Sequence, residues 1–224
     1  MKTILLINPN TSRETTTMMH RILRDALPQT IDVISETAAR GAPMITSEEA
    51  LATSVQEVLR IGRARAREVA AIVVGAFGDP GVEGLRAELS IPVIGIGEAS
   101  LREAAEGGRR FGVATTTPGL DESISRAVAR YGLDGLCTGT RIPKVDPIAL
   151  AATPGLQVES LAEAVRACID DGAAAVVIGG GPLSEAAAAL APRFEIPIIS
   201  AVAAAGRRVQ RLLSDQAGGE PGAE

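Results

Sequence analysis

Apolar and polar positions along this chain fall into blocks, and the blocks follow a fixed order. Short runs of mostly β-branched residues, Ile4–Ile7, Ile31–Ser35, Ala71–Val74 and Ile91–Gly95, read as buried strands. Longer stretches between them carry apolar residues at helical spacing. Thr11-Ser12-Arg13-Glu14 has the spacing of a capping box and predicts a helix with Met19, Ile22 and Leu23 on its core stripe. His20 falls on the outer face of that helix. Thr46-Ser47-Glu48-Glu49 repeats the capping spacing and opens a long helix to about Glu68. A shorter helix near Val82–Leu89 separates the third and fourth strands. Strands alternating with helices predict a parallel sheet joined by right-handed crossovers.

The order then repeats. Phe111–Ala114, a weak strand around Leu136–Arg141, Ala174–Ile178 and Glu195–Ser200 form a second set of strands. Leu120–Tyr131 and Ser160–Asp170 are the helices between them. The first and third strands start about 68 residues apart in one half and about 63 in the other, and the next interval is about 20 in both. Ser90-Ile91-Pro92-Val93-Ile94-Gly95 is mirrored by Glu195-Ile196-Pro197-Ile198-Ile199-Ser200. This duplication predicts an α/β fold of two pseudo-symmetric lobes, each a parallel sheet of about four strands flanked by helices, with a cleft between. The last helix, Ala201–Leu213, is amphipathic and should pack on a sheet. Residues 216–224 have no apolar anchor and read as a frayed tail.

Two strands run into glycine turns, Gly75-Ala76-Phe77-Gly78-Asp79-Pro80-Gly81 and Gly179-Gly180-Gly181-Pro182. In open α/β sheets ligands sit beyond the carboxyl ends of the strands, where successive bare amides can cradle negative charge. The Asn8-Pro9-Asn10-Thr11 and Thr115-Thr116-Thr117 turns end the other two central strands. Each turn alone would be an ordinary strand-to-helix connection. Four of them arranged symmetrically point to a cleft for a small anionic or carbonyl-rich ligand.

Composition narrows the classes. The chain has 224 residues, 46% of them hydrophobic, which is enough for a substantial core. A net charge of −5 with 2% aromatics and no Trp argues against nucleic-acid binding, which needs basic grooves and stacking platforms. No apolar run has the length of a membrane span, and the N-terminus lacks the pattern of a signal peptide, so a cytoplasmic protein is expected. The two cysteines, Cys137 and Cys168, have no metal-like spacing, and the single His20 disfavours a histidine-based metal site or a Ser-His-Asp triad. Cys168 sits at core spacing with Leu161, Val165 and Ile169, and Cys137 lies near the weak strand, so both read as packing residues.

Ile7-Asn8-Pro9-Asn10-Thr11-Ser12, with Phe77-Gly78-Asp79-Pro80-Gly81 and Val113-Ala114-Thr115-Thr116, resembles the aspartate/glutamate racemase superfamily. Within it, the hydantoin and allantoin racemase branch is the most similar, over essentially the whole chain. The resemblance implies a cofactor-independent isomerase acting at a carbon alpha to a carbonyl of a hydantoin, ureide or amino-acid-like molecule. It also implies oligomers, a chain crossover near Gly97 and return of the last helix to the first lobe. On that basis lobe one spans residues 1–97 with helix 206–215, and lobe two spans 98–205. The resemblance implies a cysteine at the end of the third strand in each lobe, on opposite faces of the substrate, one taking a proton and the other giving one. Asn8, Asn10, Thr11, Phe77, Gly78, Thr115, Thr116, Gly181 and Pro182 match its substrate-holding turns.

The first cysteine position is Ala76 here and the second is Gly180, and neither can move a proton. Three readings follow. Ala76 could mark a Cys→Ala form of a racemase. Another group could carry divergent chemistry, with Asp79 as the foremost candidate and Glu98, Asp146 and Glu185 as the other carboxyls. That reading includes a decarboxylase or another isomerase, because loss of carbon dioxide itself generates a carbanion. The third is binding without turnover. In the bland reading Asp79 caps the following helix, Glu98 caps or faces solvent, and Asp146 is a loop or helix-start residue.

Overall fold

The computed structural model describes residues 2–218 and contains two four-stranded parallel sheets. The first is built from β1 (Lys2–Asn8), β2 (Ile31–Thr37), β3 (Ala71–Val74) and β4 (Val93–Gly95), in the order β2-β1-β3-β4. The second, from β5 (Phe111–Ala114), β6 (Cys137–Arg141), β7 (Val176–Ile178) and β8 (Ile198–Ser200), repeats that order as β6-β5-β7-β8. Ile4 to Ile7 align with Ala71 to Val74, and Gly112 to Ala114 align with Val176 to Ile178. The central strands of both sheets are buried on both faces, which is why they read as unbroken apolar runs rather than alternating ones. β6 is the exception. It is polar, half-exposed and irregular in register against β5, matching its weak signal in the sequence.

The helices are α1 (Arg13–Asp25), α2 (Glu48–Arg65), α3 (Val82–Glu88), α4 (Ile96–Ala104), α5 (Asp121–Arg130), α6 (Pro147–Ala151), α7 (Pro154–Asp170), α8 (Ser184–Leu190) and α9 (Ala201–Gly218). The first two begin one residue later than their capping boxes suggest. Ser12 and Ser47, both extended, accept from the amides of Thr15 and Ala50, so the serines rather than Thr11 and Thr46 are the caps. The fourth and eighth strands start after Pro92 and Pro197, later than the apolar runs do, because proline has no N–H for the ladder. The α7 helix starts at Pro154, one and a half turns before the expected Ser160. The α4 and α8 helices had no forecast. α9 extends through Gly218 and packs on α1, α4, β4 and β8; of the tail, residues 219–224 lie outside the described residues.

One hydrophobic core runs through both sheets. Ile4, Leu6 and Val73 of the first sheet and Phe111, Val113 and Val177 of the second share it with α4, α5 and α9. Each such side chain, fully buried, contributes about 1.5–3 kcal/mol before entropy is counted. Further cores fill the outer faces, Leu5, Ile72 and Leu85 in one half and Leu161, Ile178 and Leu190 in the other.

The halves come into backbone contact where the β3 and β7 turns meet. A Cβ placed on Gly181 would lie 2.6 Å from the carbonyl oxygen of Gly75 and 2.6 Å from Sδ of Met19. We expect Gly181→Ala to destabilise the fold by about 1–3 kcal/mol in urea titrations. Gly155→Ala, at a helical site with nothing within 4 Å, should change stability by no more than about 1 kcal/mol.

Candidate functional site

The turns after β1, β3, β5 and β7 lie together at the carboxyl ends of the strands and line one cleft. The first sheet supplies Asn10 and Gly75, Ala76 and Phe77. The second supplies Thr115, Thr116 and Thr117 with Gly179, Gly180, Gly181, Pro182 and Leu183. Phe77 bridges the halves: a Cβ on Gly179 would lie 3.6 Å from its ring. The hydroxyl of Thr115 donates to the Gly179 carbonyl oxygen at 2.6 Å, tying the β5 and β7 turns together.

Eight of the twelve residues proposed from the sequence line this cleft: Ala76, Gly180, Asn10, Phe77, Thr115, Thr116, Gly181 and Pro182. The other four stand elsewhere. Asn8 is fully buried behind the turn. Its amide donates to Asn10 Oδ1 at 2.8 Å and Thr16 Oγ1 at 2.9 Å, so it shapes the turn rather than meeting a ligand. With Asn10 Oδ1 also accepting from the Ser12 amide, the Asn10 side-chain nitrogen is left to the cleft. Thr11 donates its backbone amide to Ala42 and does not line the cleft. Gly78 and Asp79 border a separate groove between α2 and α5.

Several lining residues had no signal in the turns. Met44 and Ile45 reach in from the loop after β2, Leu120 and Ile124 from the start of α5, and Pro147 and Gln157 from α6 and α7. The Met44-Ile45 pair, the two large apolar residues in a connection of mostly Ala, Gly and Pro, is the one trace of this in the sequence. Gln157 leaves none, since its place depends on α7 folding back across the second sheet.

Asp79 is buried, and its carboxylate does not face the cleft. It does not cap α3 either, whose N-cap is Gly81 with no side-chain bond. Its oxygens instead accept from the Gly97 amide at 2.8 Å, the Glu98 amide at 2.7 Å and the Tyr131 hydroxyl at 2.9 Å. Burial pushes this carboxyl up to about 6 against the pull of those three donors. Tyr131 is in turn held firmly protonated by burial and by the adjacent carboxylate.

The other carboxyls are accounted for nearby or outside. Burial alone would raise Glu98, but bonds from Arg102 and Arg86 outweigh it and hold it below its ordinary range. Asp146 is exposed and caps α6 through the Ala149 amide. Glu185 is exposed and pairs with Arg21. His20 lies in a surface groove, its ring 2.7 Å from the Ser35 hydroxyl.

The thiols are equally remote. Cys168 is fully buried against Gly112 and β5, and burial pushes it up to about 12. Cys137, on β6, is also raised by burial. Neither lines the cleft. Its eighteen lining residues include no Asp, Glu, His, Cys, Lys, Arg or Tyr, so its polar equipment is hydroxyls, carboxamides and backbone groups. Among the described residues no cluster of His, Cys, Asp or Glu is placed to hold a metal ion, and no helix is long and apolar enough to cross a membrane.

The family model described as Asp/Glu/hydantoin racemase matches residues 4–209. The chain belongs to that family. It is thereby a racemase-type enzyme, an isomerase by class. A hydantoin racemase of Rhizobium meliloti is 31% identical over 215 residues, covering 94% of this chain and 88% of that protein. Another, from Paenarthrobacter aurescens, is 26% identical over 216 residues, covering 94% and 91%. An allantoin racemase structure from Klebsiella pneumoniae superposes with a TM-score of 0.90 at 29% identity, covering 96% of this chain and 89% of that one. The two-lobe architecture is that of the racemases.

The raised Asp79 carboxyl has a measurable consequence. A carboxyl at about 6 in the folded chain and 3.8 unfolded adds stability that is fully present below pH 3.8 and is lost as pH rises through about 6. Relative to Asp79→Asn, the unfolding free energy should therefore fall by roughly 2 kcal/mol between pH 4 and 7.5 in urea titrations. A difference that stays flat with pH would overturn this account of Asp79.

Proposed function

We propose that the cleft is a racemase-type site for a neutral cyclic amide of the hydantoin or ureide class carrying an apolar substituent. In the chain as it stands, neither side of that site carries a proton-moving group. The observation that carries this reading is the lining itself. Eighteen residues include no ionisable side chain, and Ala76 and Gly180, where the resemblance places the family's two cysteines, are among them.

The lining also favours the class of ligand. A free amino acid brings a carboxylate and an ammonium, and burying either without a charged partner costs several kcal/mol. A cyclic diamide brings carbonyl acceptors and N–H donors. These match the Thr116 and Thr117 hydroxyls, the Asn10 and Gln157 carboxamides and the bare turn amides. Met44, Ile45, Leu120, Ile124 and Pro147 offer an apolar wall for the substituent. Proton exchange at a carbon alpha to a carbonyl needs a base on one face and an acid on the other. Methyl and hydrogen supply neither, and the chain's own thiols are packed away in lobe two.

The test is deuterium exchange at the alpha carbon of 5-benzylhydantoin and of allantoin, followed by NMR in deuterated buffer. The chain as given should bind the ligand and exchange it no faster than buffer. Ala76→Cys should raise the exchange rate at least about 100-fold, the scale of one positioned general base. Exchange by the unaltered chain would mean that another group carries the proton. Failure of both ligands to bind would remove the cyclic-amide class, and release of carbon dioxide from a malonate-type acid instead would make the chain a decarboxylase.

A further inference from the structure

We propose that Asp79 is the positioning residue of the cleft: its carboxylate clamps the turn that carries Ala76 and Phe77 to α4 and, through Tyr131, to the helix that carries Ile124. This rests on the cleft reading above and adds to it the element that fixes the first sheet's face of the site.

The clamp has a turn side and a receiving side. On the turn side, Asp79 is the non-glycine residue with positive φ among the described residues, at +55°. That conformation is costly for a residue with a side chain and persists only where its surroundings enforce it. Its own amide donates to the Ala76 carbonyl at 3.1 Å, so the backbone of residues 76–79 is closed into a tight turn around it. Gly78, at φ +119°, gives the chain the reversal it needs to aim the carboxylate away from the ligand.

On the receiving side, space for the carboxylate is cut out of the start of α4. A Cβ on Gly95 would fall 2.1 Å from the Asp79 Cγ, and one on Gly97 would fall 2.9 Å from Oδ2. The Gly97 and Glu98 amides there are free donors of the first helical turn, and they point at the carboxylate together. The third donor, Tyr131, follows α5 directly and is the single tyrosine of the chain. Arg102 lies over its ring, 5.4 Å from the centroid. Glu98, the nearest other acid, is engaged by Arg86 at 2.6 Å and Arg102 at 2.8 Å, which leaves Asp79 as the acceptor for the tyrosine.

A residue that only capped a helix would serve its own α3. Asp79 leaves α3 uncapped and joins three elements instead: the β3 turn, α4 and the end of α5. Two of these line the cleft directly, the turn through Ala76 and Phe77 and α5 through Ile124. The carboxylate therefore sets where position 76 stands relative to a ligand without touching the ligand.

Two variants test this, each with two readouts. Tyr131→Phe removes one hydroxyl and keeps the ring; Asp79→Asn keeps the size but replaces an acceptor oxygen with a donor nitrogen. The first readout is amide hydrogen exchange of the unliganded chain. In Tyr131→Phe the 76–81 turn and the first turn of α4 should exchange about tenfold faster, while β1 and β5 stay at wild-type rates. The second readout is deuterium exchange of 5-benzylhydantoin in an Ala76→Cys background. There Tyr131→Phe should lower kcat about tenfold and Asp79→Asn further, with KM changed less than twofold, because the thiol is misplaced while the ligand contacts remain. If turn exchange rises only in step with β1 and β5, or kcat stays within twofold of the Ala76→Cys parent, Asp79 is merely a stabilising cap and the proposal is overturned. The first readout uses no ligand, so it decides the clamp even if the cyclic-amide reading fails.

Discussion

The backbone of Gly181 stands against the carbonyl of Gly75 with no room for a side chain between them, and the site depends on that contact. It brings the ends of β3 and β7 from two separate sheets to the same place. Only glycine allows such an approach, and bare backbone on both sides is what makes the resulting cleft polar without charge. The Phe77 ring beside Gly179 packs the β3 turn against the β7 turn, and the Thr115 hydroxyl on the Gly179 carbonyl ties the β7 turn to the β5 turn within its own sheet. Position 76 and position 180 owe their shared cleft to this contact.

The two sheets were legible because their central strands are buried on both faces and so carry no polar residue to interrupt the run, Val, Ile and Leu in most and Phe111-Gly112-Val113-Ala114 in β5. The pairing of halves was legible because the intervals recur. What the sequence hid was anything set by a distant partner. Ile96-Gly97-Glu98 carried no helix signal after the strand ending at Gly95, and a helix begins there with a carboxylate sixteen residues earlier in the chain than Gly95 standing in for the missing local cap. The helix expected from Ser160 in fact takes in Pro154-Gly155 as its first turn. Of the cleft, the residues on strand-end turns could be read directly. Met44, Ile124 and Gln157 could not, since loop and helix packing across the chain delivers them.

Asp79 shows how a chemical candidate and a structural one can look alike in sequence. A buried acid beside a glycine turn at a strand end is what a general base would look like. Its neighbours decide the matter: two amides and a phenol take up both oxygens, and the cleft lies on the other side of the turn. Burial still perturbs its proton affinity, so a raised carboxyl here reports an anchoring role rather than catalysis.

The core that runs through both sheets has a consequence for traffic. Ile4, Val73, Phe111 and Val177 belong to one apolar mass, with α9 laid across α1 and α4. Two shells that share their filling cannot swing apart to admit a guest without wetting it. The part of the lining that stands outside this shared mass is the loop bearing Met44 and Ile45 and the segment bearing Pro147 and Gln157, with Ile148 standing in solvent next to Pro147. The rim of this cleft is made of side chains, and parting its walls would cost the apolar burial they share.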